Sequence, residues 1–174
     1  MLDLIDRVNL LLFVCFTACY FYQIVYIAVV LFRRAFQPIR QPGAVRQHRY
    51  AVTIAARNEE AVIGELVRSI RRQNYPAELV DIFVVADNSS DGTARVAEEA
   101  GARVYIRNNR VQVGKGYALD FLFKKIQKEY PGRHEAFFVF DADNLLDPNY
   151  IAEMNKVFDR GYRVITCYRN SKNY

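Results

Sequence analysis

The sequence predicts an α/β protein: an N-terminal transmembrane helix followed by a Rossmann-like, mixed, mostly parallel sheet. Three observations carry this prediction. Val8 to Phe32 contains no charged residue. From Tyr50 onward, apolar runs of strand length alternate with patterns of helical period, which implies right-handed crossovers and parallel pairing. Finally, the run Phe137-Phe138-Val139-Phe140 ends in Asp141-Ala142-Asp143, an apolar strand that opens onto two nearby carboxylates.

The first helix, residues 8–32, has Gln23 as its one strongly polar side chain beyond Asn9 at its start. At a rise of about 1.5 Å per residue it is about 37 Å long, enough to cross a hydrocarbon core of about 30 Å with some tilt. A cleaved signal peptide fits poorly: the run is too long, Asp3 and Asp6 precede it, and no small-residue cleavage pattern follows. A buried core helix fits poorly too, because the run is apolar on every side. The segment 33–49 holds Pro38, Pro42, Gly43 and most of the unbalanced arginines and reads as a basic juxtamembrane linker. The chain has 24 Lys and Arg against 19 Asp and Glu, a surplus that Arg33, Arg34, Arg40, Arg46 and Arg49 match. This asymmetry predicts a single-pass arrangement in the cell membrane with the domain at 50–174 on the cytoplasmic side. Each arginine near an anionic leaflet contributes about 1 kcal/mol of attraction. Membrane lipid is thus the expected partner of the basic segment, and the pI of 9.1 calls for no nucleic acid. Cys15, Cys19 and Cys167 have neither disulfide-framework nor zinc-site spacing.

The folded part starts with a strand at Tyr50–Ala56. A helix from Glu59 to Gln73 follows, with Val62, Ile63, Leu66, Val67 and Ile70 along one face. Pro76 closes it. A second strand, Asp81–Ala86, runs into the polar turn Asp87 to Thr93, where Asp91 or Ser90 can cap a short helix that ends at Gly101. A third strand covers Ala102–Ile106, and a basic loop leads from Arg107 to Lys115. The next helix, Tyr117–Tyr130, presents Leu119, Leu122, Phe123 and Ile126 and stops at Pro131-Gly132. After the strand Ala136–Phe140, Asp147-Pro148 reads as a cap with proline at the first helical position of a helix that reaches Gly161. Tyr162–Tyr168 reads as a last strand.

In extended backbone, residues i and i+2 project to the same side, so Asp141 and Asp143 can converge on one metal ion or one metal-bridged diphosphate. Aspartate is also a turn former, and the pair can equally open a turn. Ligands in parallel α/β sheets bind beyond the carboxyl ends of the strands, near the point where strand order reverses. The residues at those ends are Ala55 to Glu60, Asp87 to Thr93, Lys115, and Asp141 with Asp143. His134 and His48 stand apart from them, which leaves no candidate Ser-His-Asp or Cys-His arrangement. A Walker loop fails because Gly114-Lys115 is followed by Gly116 and position 109 is Asn, and no glycine-rich fingerprint follows the first strand. An EF-hand fails at Leu146 and Glu153. Two carboxylates near a lysine suit a hard divalent cation on a nucleoside diphosphate, since Mg²⁺ takes one or two protein carboxylates and fills its shell with phosphate and water.

Four elements in order resemble the family 2 glycosyltransferases of GT-A fold: Ala56-Arg57-Asn58-Glu59-Glu60, Asp87 to Thr93, Gly114-Lys115-Gly116-Tyr117-Ala118-Leu119, and Asp141-Ala142-Asp143. The likeness is to the membrane-anchored branch that includes hyaluronan, chitin and cellulose synthases and bacterial N-acetylglucosaminyltransferases. That resemblance implies the nucleotide-binding half of a GT-A sheet with strand order three-two-one-four. It implies a nucleotide-sugar donor, in particular a UDP-sugar, Mg²⁺ or Mn²⁺ as cofactor, a glycan or lipid-linked acceptor, and inverting transfer in polysaccharide-type biosynthesis. It further implies that Ala56, Arg57, Glu59 and Asp87 line the nucleotide, that Lys115 and Asp141 lie by the diphosphate or sugar, and that Asp143 holds the metal with Asp141. Asp120 departs from the family, which often has Asn there. The family's catalytic base and its Gln-x-x-Arg-Trp segment lie downstream of Asp-x-Asp, and this sequence has no Trp and stops at Tyr174. The expectation is therefore a donor half whose base lies beyond Tyr174, or a nucleotide-sugar-binding fragment without activity of its own. A phosphohydrolase of the haloacid dehalogenase type shares the strand-Asp-x-Asp pattern. That motif, however, belongs after a first strand and needs Thr or Val where Leu145 stands.

Overall fold

The computed structural model describes residues 2–36 and 43–167. Residues 37–42 of the expected linker, and Tyr168 of the expected last strand, lie outside the described residues. The chain divides between residues 42 and 43 into two compact units.

The first unit is α1, Leu2–Phe36, longer than the uncharged run at both ends. Nothing between Arg33 and Phe36 interrupts helical backbone, and Pro38 lies just beyond; helices usually end at or before the residue preceding a proline. The stretch Leu4–Arg33 is long and apolar enough to cross a membrane. Phe13, Ile24 and Phe32 are among the large apolar side chains it leaves exposed.

The second unit is a four-stranded sheet with helices on both faces. Its elements are β1 Tyr50–Ala56, α2 Ile63–Arg71, β2 Val80–Asp87, α3 Thr93–Glu99, β3 Arg103–Arg107, α4 Lys115–Glu129, β4 Ala136–Asp141 and α5 Tyr150–Phe158, with a short 3₁₀ turn, Ala77–Leu79, before β2. The order is β3-β2-β1-β4, and every pairing among the described strands is parallel. The chain steps from β1 outward to β3 and then returns across β1 to lay down β4. Crossovers of one hand must then put α2 and α3 on one face and α4 on the other.

The core follows that division. Tyr50, Val52 and Ile54 of β1 and Ile82 and Val84 of β2 pack with Ile63, Leu66, Val67 and Ile70 of α2, Ala97 of α3 and Ile151 of α5. Ala51, Phe83 and Val85 pack with Ala118, Leu122 and Ile126 of α4. Central strands buried on both faces read as continuous apolar runs rather than as alternation, and β1 is buried at every position but Ala55.

There are three local differences from the sequence reading. First, α5 starts at Tyr150 with Asn149 as cap, not at Asp147-Pro148. The Asp147 carbonyl accepts from Gln73 Nε2 at 2.7 Å and the Pro148 carbonyl from the Asn74 amide at 2.7 Å, so the loop after α2 claims both groups. Asp147 instead makes a turn, its Oδ1 accepting from the Asn149 amide at 2.8 Å. Second, 162–167 form no strand. Strand conformation needs a partner ladder; among the described residues β4 pairs only with β1, and Val164 is 88% exposed. Third, regular α2 begins at Ile63 rather than Glu59: residues 60–62 form a turn in which the Glu59 carbonyl accepts from the Val62 and Ile63 amides at 3.1 and 2.9 Å. Gly101 does end α3, with φ +101° and a Schellman pair: its amide bonds the Glu98 carbonyl at 2.9 Å and that of Ala102 bonds Ala97 at 3.0 Å.

Candidate functional site

The carboxyl ends of β1, β2 and β4 open on one crevice. On β1, Ala55 lies in register with Val85 of β2 and Asp141 of β4. Side chains alternate along a strand, so Phe83, Val85 and Asp87 share the α4 face with Ala55 and with Phe137, Val139 and Asp141. Asp87 and Asp141 thus rise from the same face on either side of Ala55, whose methyl group leaves a low floor between them. With strands about 4.8 Å apart, the two carboxylates belong to strands separated by about 10 Å.

The α4 N-terminus forms the roof. Gly114 caps it at φ +128°, ψ 158°, a conformation reserved for glycine. This turn places Lys115 as the first helical residue, and its ammonium is ion-paired with Asp141 Oδ1. Both side chains remain nearly half exposed.

Beyond Asp141 the extended geometry stops. Asp141 to Asn144 is a β-turn closed by the Asn144 amide on the Asp141 carbonyl at 3.1 Å, while Asn144 Oδ1 accepts from the Asp141 amide at 3.2 Å. The i, i+2 argument for convergence of Asp141 and Asp143 therefore does not apply, because Asp143 sits in a turn and not in a strand. Asp143 Oδ1 accepts from Asn144 Nδ2 at 3.3 Å, and the residue lines a groove of 890 Å³ along the outer edge of β4. Among the described residues no group of three or more His, Cys, Asp or Glu side chains is arranged to hold a metal ion. Asp141 and Asp143 offer at most two carboxylates, a donor set that fits a hard cation whose remaining ligands are phosphate and water.

The motif after β1 is zipped to the turn after β2. The Asn58 amide donates to Ser89 Oγ at 3.2 Å, that of Glu59 to Thr93 Oγ1 at 2.8 Å and that of Glu60 to Asp91 Oδ2 at 3.2 Å. In return the Ser90 amide donates to Asn58 Oδ1 at 2.8 Å and the Gly92 amide to Glu60 Oε2 at 2.9 Å. Asn58 and Asn88 adopt left-handed backbone, φ 55° and 53°, which asparagine tolerates. The N-cap of α3 is Gly92 and not Asp91 or Ser90 as the sequence suggested; Asp91 instead closes the turn before it, its Oδ1 accepting from the Thr93 amide at 3.0 Å. Glu60 is thereby a loop clamp, Arg57 is exposed, and Glu59 is half-buried. Ala56 has its side chain in the core and offers the crevice only backbone.

Three features were not visible beforehand. Arg107, read as the start of a basic loop, is buried and donates Nη1 to Asp87 Oδ1 at 2.5 Å and Nη2 to the Gln112 carbonyl at 2.8 Å. The available signal was two adjacent apolar strands ending in opposite charges, which parallel register pairs as Asp87↔Arg107. His48, assigned to the linker, is buried: Nδ1 lies 2.8 Å from Glu135 Oε2 and Nε2 2.9 Å from Asp159 Oδ1. His134 is not isolated; its Nε2 lies 2.9 Å from Asp81 Oδ2, at the opposite end of β2 from the crevice.

A parallel α/β unit with an acidic crevice at its switch point defines a ligand-binding domain of the doubly wound class. A profile of the glycosyltransferase like family 2 matches residues 48–174, and the chain belongs to that family. Beta-monoglucosyldiacylglycerol synthase of Trichormus variabilis is 30% identical over 115 residues, a match covering 63% of this chain and 23% of the relative. The 4,4'-diaponeurosporenoate glycosyltransferase of Staphylococcus aureus is 51% identical over 53 residues, covering 30% of this chain and 13% of the relative. The chain thus matches under a quarter of these relatives' length. Among solved structures, the mannosyltransferase PcManGT of Pyrobaculum calidifontis, in complex with GDP-Man and Mn²⁺, aligns with a TM-score of 0.61 at 20% identity, covering 84% of this chain and 42% of that one. S. aureus TarS in complex with UDP aligns with a TM-score of 0.53 at 19% identity, covering 64% of this chain and 32% of that one. These structural likenesses establish the GT-A-type fold.

Proposed function

We propose that the chain is the donor-binding part of a membrane-anchored glycosyltransferase that moves a sugar from a nucleoside diphosphate, in particular UDP, to a lipid-linked or glycan acceptor at the cytoplasmic membrane face, with inversion. The observation that carries this reading is the Lys115–Asp141 ion pair across the crevice mouth: a cation and a carboxylate held on separate elements at the sheet's switch point. Arg57, Glu59, Asp87 and the Ala56 backbone line the nucleotide, Lys115 and Asp141 meet the diphosphate, and Asp143 with Asp141 holds Mg²⁺ or Mn²⁺. Bound there, the cation offsets charge that develops on the diphosphate leaving group. Lys115, exchanging Asp141 for phosphate oxygens, adds a point charge at the helix N-terminus, where the amides of α4 already favour an anion. The GDP-Man and Mn²⁺ in the PcManGT complex and the UDP in the TarS complex support the donor and the metal. The glucosylated diacylglycerol named by the Trichormus relative supports a lipid acceptor. α1 serves as the anchor, and Arg46 and Arg49, with the arginines at 33–40, keep the domain on the anionic side.

Calorimetric titration of the full chain in detergent with UDP in Mn²⁺ tests this. Saturable binding that Asp143→Ala weakens is expected. Absence of binding, or affinity indifferent to that substitution, overturns the assignment.

A further inference from the structure

Gln23 is the one strongly polar side chain deep inside α1. The span Leu4–Arg33 is centred between Ala18 and Cys19, so Gln23 lies about 7 Å from the middle of a hydrocarbon core whose half-thickness is about 15 Å. Its side chain is exposed and has no hydrogen-bond partner among the described residues. Lipid tails offer none, and a primary amide brings two N–H donors and a carbonyl acceptor that only protein can satisfy there. Glutamine and asparagine within membrane spans accordingly hydrogen-bond across helices. Among the described residues no second helix is long and apolar enough to cross a membrane, so the partner helix lies outside them.

The residues around Gln23 define which side of α1 pairs. At seven-residue spacing Asn9, Phe16 and Gln23 run along one stripe, and Leu12, Cys19 and Tyr26 follow each of them by three positions. This is the a/d seam of a heptad, which packs two helices in a left-handed crossing of about 20°. Both carboxamides of the span occupy a positions, two heptads apart. Copies of one chain insert in the same orientation and so pair in parallel, and a two-fold axis along the seam sets each a residue against its own counterpart. A charged residue there would repel its copy. A carboxamide is self-complementary, because each donates an N–H to the carbonyl of the other. We propose that α1 is a self-association surface: two copies of this chain pair in parallel along the Asn9–Gln23 stripe, with the two Gln23 side chains hydrogen-bonded to each other inside the bilayer. Asn9, about 14 Å from the middle of the span, meets its copy where water competes and so fixes register more than strength. The pairing goes beyond donor binding and rests only on the reading of α1 as a membrane span.

The native cysteines report the seam. Cys19 stands at d, facing its copy, whereas Cys15 stands at g, on the flank. The full chain carrying Cys167→Ser and either Cys15→Ser or Cys19→Ser is placed in phosphatidylcholine–phosphatidylglycerol vesicles, oxidised with copper phenanthroline and run on a non-reducing gel. Disulfide-linked dimer should form faster through Cys19 than through Cys15, because a d residue meets its counterpart and a g residue does not. Sedimentation of the full chain in density-matched detergent then gives the dimer dissociation constant. Gln23→Leu should raise it about three- to thirtyfold, the worth of an interhelical polar pair. Gln23→Asn keeps a donor and an acceptor and should raise it less. Leucine suits both helix and lipid, so the leucine variant retains its span. A chain that alkaline carbonate strips from the vesicles refutes the span itself. A chain that stays embedded yet sediments as a monomer assigns Gln23 to a helix of another protein and overturns the self-pairing. Equal cross-linking through Cys15 and Cys19, or a dissociation constant that Gln23→Leu moves by less than about threefold, overturns it too.

Discussion

Asn155 is the side chain whose loss should cost this domain most for its size. It lies in α5, 2% exposed, and its Oδ1 accepts from Tyr50 Oη at 2.7 Å, Tyr75 Oη at 3.0 Å and the His48 amide at 3.2 Å. Its Nδ2 donates to the Arg46 carbonyl at 2.8 Å. One amide thus binds the segment before β1 to the sheet and to α5. Burial pushes the Tyr50 and Tyr75 phenols well above the ordinary tyrosine range, so both are donors at any working pH. In Asn155→Ala, Tyr75 retains the His48 carbonyl at 2.8 Å and the exposed Arg46 segment can turn to water, but the Tyr50 hydroxyl and the His48 amide lose their partner inside the core. Each orphaned buried donor costs about 1–3 kcal/mol, giving about 2–6 kcal/mol for the substitution. Tyr50→Phe removes one donor together with its need and should cost about 1 kcal/mol. Because Asn155→Ala then strands one donor fewer, the double variant should be sub-additive by about 1–2 kcal/mol. Urea unfolding of the full chain in detergent, followed by near-ultraviolet circular dichroism, measures all three. A cost below about 1 kcal/mol for Asn155→Ala, or strict additivity with Tyr50→Phe, would refute the hub.

Two further outcomes follow from the same geometry. Burial pulls the His48 imidazole down, but its hydrogen bonds to Glu135 and Asp159 outweigh that and hold it above its ordinary value of 6.5. Glu135 and Arg46 are the charges facing it from the α4–β4 loop and its own segment, and Asp159 faces it from the end of α5. A raised folded value means the contribution is fully present below about pH 6.5 and is lost as pH climbs through the raised value. Both carboxylates are held below their ordinary values, Glu135 and Asp159 each chiefly by the bond to His48, so their share fades at the acid end instead. The melting temperature should therefore fall as pH rises above about 6.5, and His48→Gln should flatten that limb; an unchanged profile would exclude the link. Gly114→Ala meets no steric neighbour within 4 Å, yet its φ of +128° strains any side-chain-bearing residue. It should cost about 1–3 kcal/mol and displace Lys115. Weakened UDP binding is expected, and unaltered affinity would detach the α4 cap from the site.

The alternation of apolar runs and helical faces was legible because it is local: β1 appears over Tyr50–Ala56 as read, and the remaining strands and helices shift by a few residues. The four motifs were legible because three sit at strand ends and the fourth opens α4, places where chemistry and sequence adjacency coincide. Other features were set by neighbours distant in sequence. The loop after α2 claims the carbonyls that would have begun α5 at Asp147. Strand propensity at 162–167 goes unused because β4 offers no paired ladder there.

Composition and periodicity alone establish an apolar helix able to cross a membrane, a parallel α/β unit and an acidic, lysine-bearing set of strand ends, since burial patterns and turn chemistry repeat at short range. Tertiary structure alone decides that Lys115 meets Asp141, that Asp143 turns toward the outer edge of β4, that Arg107 locks Asp87, and that His48 and Asn155 fasten the segment before β1. Each of these joins residues from separate elements. Such contacts depend on which strands lie side by side and in what register, and no window of sequence contains that information.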